Sequence, residues 1–470
     1  MTPSPGSVKT RASLVNRRTL VPFAVAGFVG AVWLNQGVSH TRATAIIDSI
    51  DDPLHHPVDA ARYTLVELYE RSGDEEINFA VARAIRGLPH DDERLLHRGH
   101  DTPASFDRAP AVDGHWHRPY VEVPFEYPIA MLPFVLLPSL VAGATFEGFT
   151  RVFGAFMTVL VLMAAGLSIR PMPAGEAQTR RWAFVALLLA QGSLAVQRLD
   201  AVPALLLAWA LWAAVARRPM TTGVALGLAT ATKFFPIFLV PLVVVADRDA
   251  WRTREARIRG AFGFGAATAL GFLPMLFPPT SLIDVLHYHL ARGLHVESTM
   301  GVLVALGHLL AGVRAPATLS YGSYNVDGAL ATSLAQPCTA LMILLLGGAV
   351  SSFARATPPA DEDERADRLA LAMLTGLAVL WLSAKAFSPQ YLTWAIPLCL
   401  AVSGKRGFTL TWLLFGIMAL TQVYMRAFYG QVIEGTPIGV GFLLARLPLL
   451  VIFALVAARG ASTNPALREA

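Results

Sequence analysis

The chain has 470 residues, 54% of them hydrophobic and only 15% charged, with a formal net charge of +5. Soluble domains carry about a quarter charged residues, so these proportions, with a mean hydropathy of +0.50, exclude an ordinary water-soluble globule. The basic residues are dispersed among short connectors, which gives no footing for nucleic-acid binding. The two cysteines, Cys338 and Cys399, fall in or beside apolar segments and offer no disulfide framework.

Residues 1–18 form a polar tail with Lys9, Arg11, Arg17 and Arg18 and no acidic residue, which predicts a cytoplasmic N-terminus. The Arg17-Arg18 pair reads as the anchor of a first transmembrane helix over 19–36 rather than as an export signal, because no convincing small-residue cleavage site follows. Residues 37–127 are the one long polar interval. They hold eight of the twelve histidines and 17 acidic against nine basic side chains, a net of −8, so the remainder of the chain is strongly basic. A block of that character needs water, and its place after one span makes it extracytoplasmic. A membrane enzyme acting on a soluble or headgroup-level substrate would build its active site there. Within it, residues 60–71 and 75–86 predict short helices, the first with Ala61, Leu65, Leu68 and Tyr69 spaced to lie along a membrane surface. Residues 88–117 read as irregular.

Residues 128–459 form the membrane domain, followed by a tail over 460–470. Apolar segments fall at 129–145, 149–169, 182–196, 202–216, 222–246, 261–277, 300–311, 330–353, 369–384, 391–403, 408–425 and 438–458. They predict an all-α polytopic protein of roughly 11–13 transmembrane or half-spanning helices, since a full span needs about 20 residues. Basic connectors at 170–181, 217–218, 248–259 and 405–406 predict cytoplasm. Two conflicts follow. Segment 129–169 must return to the face it leaves, and 222–246 begins and ends beside basic loops. Lys233 and Pro236 resolve the second conflict if they break that segment into two half-helices; the first stays open.

Five motifs place charge near helix ends or breaks: RPYVEVPFEYP (118–128), RLD with PA (198–200, 203–204), KFFP (233–236), YHLARGLHVES (288–298) and KAFSPQY (385–391). A single such charge is ordinarily a snorkelling anchor; five in one chain point to a site. In this order the motifs resemble those of GT-C membrane glycosyltransferases, most of all glycosyltransferase family 87, the polyprenol-phosphate-mannose-dependent mannosyltransferases of bacteria. The likeness runs over about residues 19–458. It departs at Ile129, where the family commonly has a second proline, and in the long, His-rich first loop.

The resemblance implies inverting sugar transfer on the outer face of a bacterial cytoplasmic membrane. The donor would be a polyprenyl phosphate sugar, mannose by analogy, and the acceptor a lipid or glycan. Independently, no glycine-rich phosphate loop is present. Transfer needs a carboxylate base, and the family carries it early in the first loop, where Asp48, Asp51, Asp52 and Asp59 stand. Asp59 is favoured because Asp59–Tyr63 matches an Asp-x-x-x-Tyr pattern, with a helix N-cap as the structural alternative and Asp51 or Asp52 next. Arg292, Lys385 and Lys233 are the candidates for the leaving phosphate, then His289 and Arg198. Glu126, Tyr127, Glu297 and Tyr391 are candidate positioning residues, Glu297 as the orienter of Arg292 unless Glu297-Ser298 only opens the next helix. Tyr288, Phe387 and Tyr391 could line an isoprenoid groove or anchor at the interface. No cofactor is assigned. The pairs His55/His56, His97/His100 and His115/His117, near Asp91, Asp92 and Asp101, leave room for a divalent cation, with solvated or structural histidines as the plainer reading. The competing class is a transporter or lipid flippase, which would rest on Lys233, Arg198 and Asp200 alone, and a third is a non-catalytic polyprenyl-phosphate scaffold.

Overall fold

Long Leu-, Ala- and Val-rich runs satisfy their own backbone as helix in lipid, and helices account for nearly all of the architecture. The computed structural model describes Pro22, Val25 and residues 73–90, 110–169, 174–277, 280–313 and 315–461. The expected first span, the surface helix over 60–71 and most of both tails lie outside these residues.

In chain order the helices are α1 (Gly73–Ile85), α2 (Leu132–Val141), α3 (Phe146–Ile169), α4 (Ala174–Gln191), α5 (Ala201–Val215), α6 (Pro219–Thr232), α7 (Val240–Ala246), α8 (Arg254–Phe272) and α9 (Thr280–Ala291). Strand β1 (Leu294–His295), α10 (Thr299–Ala311), β2 (Ala317–Ser320) and β3 (Ser323–Val326) come next. Then follow α11 (Ala329–Arg355), α12 (Glu362–Ser383), α13 (Ala395–Ala401), α14 (Gly404–Ala427), α15 (Tyr429–Ile433) and α16 (Pro437–Ala458). Among the described residues, five helices (α3, α11, α12, α14 and α16) are long and apolar enough to cross a membrane, or six if the pair built on α8 and α9, bent by 112°, is counted as one span. The chain is a multi-pass membrane protein, and shorter apolar helices fill the space between the spans.

Both topological conflicts are resolved by short elements. Ten residues of α2 rise about 15 Å, half a bilayer core. Arg86 Nη1, just past α1, donates to the Ser139 carbonyl (2.8 Å), and Arg83 Nη1 on α1 to the Ala144 carbonyl (2.8 Å), so α2 ends against the polar interval. Segment 129–141 therefore stays at the end that carries the polar interval, and within 129–169 α3 has the length of a span. The second segment is broken as its sequence predicts. Helix α6 stops at Thr232, Lys233 is extended (φ −149°, ψ 131°), and Pro236 opens a 3-10 turn that leads into α7. Asp247, just past α7, faces Arg217, just before α6 (Nε–Oδ2 4.0 Å), so both ends lie on the arginine-rich face and the break lies on the other.

Helix α12 is the central post: every residue from Arg368 to Trp381 is buried. Its first turn is capped by Asp361, whose carboxylate accepts from the Glu364 N–H (2.8 Å). Helices α6 and α8 approach closely enough to need glycine. A Cβ at Gly223 would stand 2.1 Å from the Gly260 carbonyl oxygen, and one at Gly227 would stand 2.5 Å from the Phe264 carbonyl oxygen. One small antiparallel sheet, ordered β1-β3-β2, interrupts the helices. Its β2–β3 turn is Tyr321-Gly322, both at positive φ (49° and 66°), as a two-residue hairpin turn of the primed type requires.

Candidate active site

The site is assembled at the end of the bundle opposite the arginines, where α6 breaks. Asp200 leads into α5 and Lys233 follows α6, and the two apolar arms flank the basic turn at 217–218 almost equally. Equal arms bring both residues to one level, and Lys233 Nζ donates to Asp200 Oδ1 at 2.7 Å. Arms of 14 and 15 residues rise only about 21–22 Å, shorter than a hydrocarbon core some 30 Å thick. Asp200 is buried and does not cap its own helix; its Oδ1 also accepts from Trp394 Nε1–H (2.7 Å). Around the ammonium stand the rings of Tyr391 (5.0 Å), Trp394 (5.3 Å) and Tyr127 (5.6 Å), a cage of π faces. Trp394 is held between Phe235 (centroids 3.7 Å apart) and Tyr391 (4.4 Å), so the KFFP and FSPQY motifs meet face to face.

Glu126 and Tyr127 enter this cluster from the polar interval. The loop that presents them is stiff. Tyr120, at φ 67°, donates its hydroxyl to the Tyr127 carbonyl (2.5 Å), and Arg118 Nη2 donates to the Phe277 carbonyl (2.8 Å). The Tyr288 hydroxyl sits 2.8 Å from Glu126 Oε2 and 2.7 Å from the Tyr321 carbonyl, two acceptors for its one proton. His289 Nε2–H donates to the Glu126 carbonyl (3.2 Å), and its ring meets Phe234 edge to face (5.4 Å).

Two more cations complete the cluster. Arg292 Nε donates to Ser323 Oγ on the hairpin (3.1 Å), and the guanidinium lies within electrostatic reach of Tyr391, Tyr288, Glu126 and Tyr127. Among the described residues one of its five N–H donors is thus engaged, and the Nη groups offer a planar fork for an oxyanion. Lys385 donates to the Leu290 carbonyl at the end of α9. Burial pulls its ammonium below the ordinary lysine range, and the Arg292 charge pulls the same way against the opposing influence of Cys338. The cluster thus sets three cations, Lys233, Arg292 and Lys385, against two carboxylates, Asp200 and Glu126, a net of one positive charge.

The expected partnership of Glu297 with Arg292 requires correction. Glu297 Oε2 instead accepts from the Tyr424 hydroxyl (2.9 Å) and faces Arg446 Nη1 (3.4 Å), while Arg446 Nη2 donates to the Glu297 carbonyl (2.6 Å). The strand pairing of β1 and the N-cap at Ser298, whose Oγ accepts from the Gly301 N–H (3.0 Å), turn this carboxylate toward α14 and α16. Ser298 thus opens α10 as the capping alternative expected. Arg446 in turn lies over the Phe387 ring (4.6 Å), so the buried pair backs the segment that carries Lys385. Between the two arginines sits His295, held well below the ordinary histidine range, first by burial and then by the charges of Arg292 and Arg446. The neutral ring accepts the Glu297 N–H at Nδ1 (3.3 Å).

Sequence reasoning missed Arg446, although a lone charge in the middle of an apolar span was a usable signal. It weighed Asp200 only as a transporter charge and did not weigh Trp394. Arg198 is buried two residues before Asp200. Asp48, Asp51, Asp52 and Asp59 lie outside the described residues, as do His55, His56, His97 and His100. His117 is a structural histidine: it bonds the Ala111 carbonyl through Nε2 (2.9 Å) and Glu122 Oε1 through Nδ1 (3.3 Å). Among the described residues no group of three or more His, Cys, Asp or Glu side chains could hold a metal ion.

The comparisons with known proteins bear on this site. No curated protein gives a significant match. The family model for glycosyltransferase family 87 matches residues 125–384, narrower than the 19–458 expected from the motifs. It begins at the Phe125-Glu126-Tyr127 end of the polar interval and runs to the residue before Lys385, so it takes in Asp200, Lys233, His289 and Arg292. With 260 of 470 residues matched, the chain belongs to glycosyltransferase family 87, and it is a membrane glycosyltransferase rather than a transporter or a non-catalytic scaffold.

Proposed function

We propose that the enzyme transfers mannose, with inversion, from a polyprenyl phosphate donor to a lipid or glycan acceptor on the outer face of a bacterial cytoplasmic membrane. A carboxylate of the first loop, Asp59 before Asp51 or Asp52, takes the acceptor hydroxyl proton. The acceptor oxygen then bonds to the anomeric carbon as the bond from that carbon to the phosphate oxygen breaks. The electron pair leaves with polyprenyl phosphate. Arg292, Lys385 and Lys233 receive the charge that grows on the phosphate, Lys233 from the aromatic side in the orientation that Asp200 holds. Glu126, Tyr127 and Tyr391 position the sugar and acceptor, and His289 and Arg198 serve the phosphate secondarily.

The observation that carries this reading is the convergence of Lys233, Arg292 and Lys385, from three motifs far apart in sequence, on one side-chain cluster that includes the rings of Tyr127, Tyr391 and Trp394. A lipid-linked donor needs cations for its phosphate beside aromatic side chains within the membrane domain, and this arrangement supplies both. The test is transfer of labelled mannose from polyprenyl phosphate mannose in membranes holding the wild type or Asp59→Asn. Loss in Asp59→Asn with normal insertion supports the assigned base, and full activity moves it to Asp51 or Asp52. A wild type that transfers another sugar, but not mannose, overturns the donor assignment.

A further inference from the structure

At the opposite end of the bundle, between α6, α7 and α8, lies a cavity of about 320 Å³ that the transfer reaction does not use. Its walls are apolar: Leu226, Val240, Val244 and Phe264, with Trp251 across one side. The two glycines on its lining, Gly223 and Gly260, cannot be enlarged from within. A Cβ on the first meets the α8 backbone at 2.1 Å, and one on the second meets the Trp251 ring at 2.1 Å. The single charged group on the lining is Arg257, which is exposed.

Position and charge together select the occupant. The cavity sits beside the arginine-rich connector between α7 and α8, at the cytoplasmic level set by the Arg217–Asp247 contact. Next to it Ile258 (55% exposed) and Phe262 (63%) face outward, which puts it on the lipid side of α8. In the connector Arg259 is paired with Glu255 (2.6 Å), whereas Arg252, Arg254 and Arg257 form no ion pair among the described residues. An apolar chamber for a hydrocarbon chain, with unpaired arginines at headgroup depth on the cytoplasmic side, is complementary to an anionic lipid. We propose that this cavity binds one acyl chain of an anionic diacyl phospholipid from the cytoplasmic leaflet, with its headgroup held by Arg257. The site lies beneath the broken segment that carries Lys233, on the other side of the membrane from the donor.

The test uses full-length protein, delipidated in mild detergent and titrated with phosphatidylglycerol or phosphatidylcholine of identical chains, with bound lipid read by native mass spectrometry. The wild type should bind the first phosphatidylglycerol about fivefold or more tightly than phosphatidylcholine, the effect of roughly one basic side chain at a headgroup. Arg257→Gln should keep binding and lose that preference. Ala261→Phe, which fills the chamber from its exposed rim, should weaken both lipids; Ala261→Leu serves if the larger ring prevents folding. Equal affinity for the two lipids in the wild type overturns the proposal, as does unchanged binding in the filled variant. Recovery of polyprenyl phosphate from the cavity in place of phospholipid overturns it in favour of the donor chain.

Discussion

Two buried aspartates stand at opposite ends of the bundle, each facing basic side chains, and they do different work. At the arginine-rich end Asp247 is approached by Arg365 (3.6 Å) and Arg217 (4.0 Å). The arginines there turn their other donors to helix-end carbonyls: Arg365 to Val215 (3.1 Å), Arg248 to Ala356 (3.0 Å) and Arg368 to Phe353 (2.7 Å). Those carbonyls are the orphans that every helix end leaves, and the arginines satisfy them. At the other end Asp200 takes one ammonium and one indole N–H, and three aromatic rings surround the ammonium. Neither the Asp200 nor the Lys233 side chain closes a helix end, although Lys385 nearby donates to the Leu290 carbonyl. The arginines around Asp247 staple backbone and are structural; an ammonium caged by rings at a break, beside Arg292 and Lys385, suits a ligand-binding role.

The sharpest way to break this contrast is to neutralise one member of each group. Lys233→Met should lower kcat for sugar transfer by about 10²–10³, the usual loss when one preorganised electrostatic group is removed from a transition state. Arg365→Gln should leave kcat unchanged and cost about 1–3 kcal/mol of stability, read as a lower denaturation midpoint in detergent. Equal kcat losses from the two substitutions would abolish the distinction. Trp394→Phe refines it, because the ring stays while the N–H to Asp200 goes, and a smaller kcat loss than that of Lys233→Met is expected.

The buried pair behind the site comes next in size. Arg446→Met strips Glu297 of its charge partner and should cost about 3–5 kcal/mol of stability, since an unpaired buried carboxylate is expensive. Arg446→Met combined with Glu297→Gln should recover part of that loss. If the double substitution is no better than the single one, the pair is not the interaction that secures the Lys385 segment.

Much of this was legible in the sequence, and the misses share a cause. The break at Lys233 followed from a Lys and a Pro within an apolar run. The shared level of Asp200 and Lys233 was readable from equal arms around a basic turn, although only the break was drawn from it. Glu126, Tyr127, His289, Arg292 and Tyr391 were named from motifs and converge in space. The partner of Glu297 was misread because sequence proximity favoured Arg292, five residues before it, over Arg446, which is 149 residues away and arrives only when α16 packs beside α14. A helical register can be read locally; which helix faces which cannot. The same blindness hid the α2 turnback, which depends on Arg83 and Arg86, at the end of α1, reaching carbonyls 61 and 53 residues ahead.

The smallest predicted effect concerns the loop that presents Glu126 and Tyr127. Both ring nitrogens of His117 face acceptors, the Ala111 carbonyl and Glu122, with Asp113 Oδ1 a further 3.3 Å contact, and a neutral imidazole has only one proton to offer. Burial on its own would lower the histidine, but the Glu122 and Ala111 bonds and the nearby carboxylate charge outweigh it, so His117 is held above the ordinary histidine range. A raised folded value means that the folded loop binds the proton more tightly than the unfolded chain does. The contribution is therefore complete below about pH 6.5 and is lost as pH rises through the folded value. Hydrogen exchange over residues 110–123 should accordingly show protection falling between pH 6 and pH 8, after correction for the intrinsic rate. His117→Gln keeps a donor and an acceptor without a titrating group and should flatten that dependence. A profile in His117→Gln as steep as that of the wild type would assign the pH response to another group, and the loop would then be held by the Arg118 and Tyr120 contacts alone.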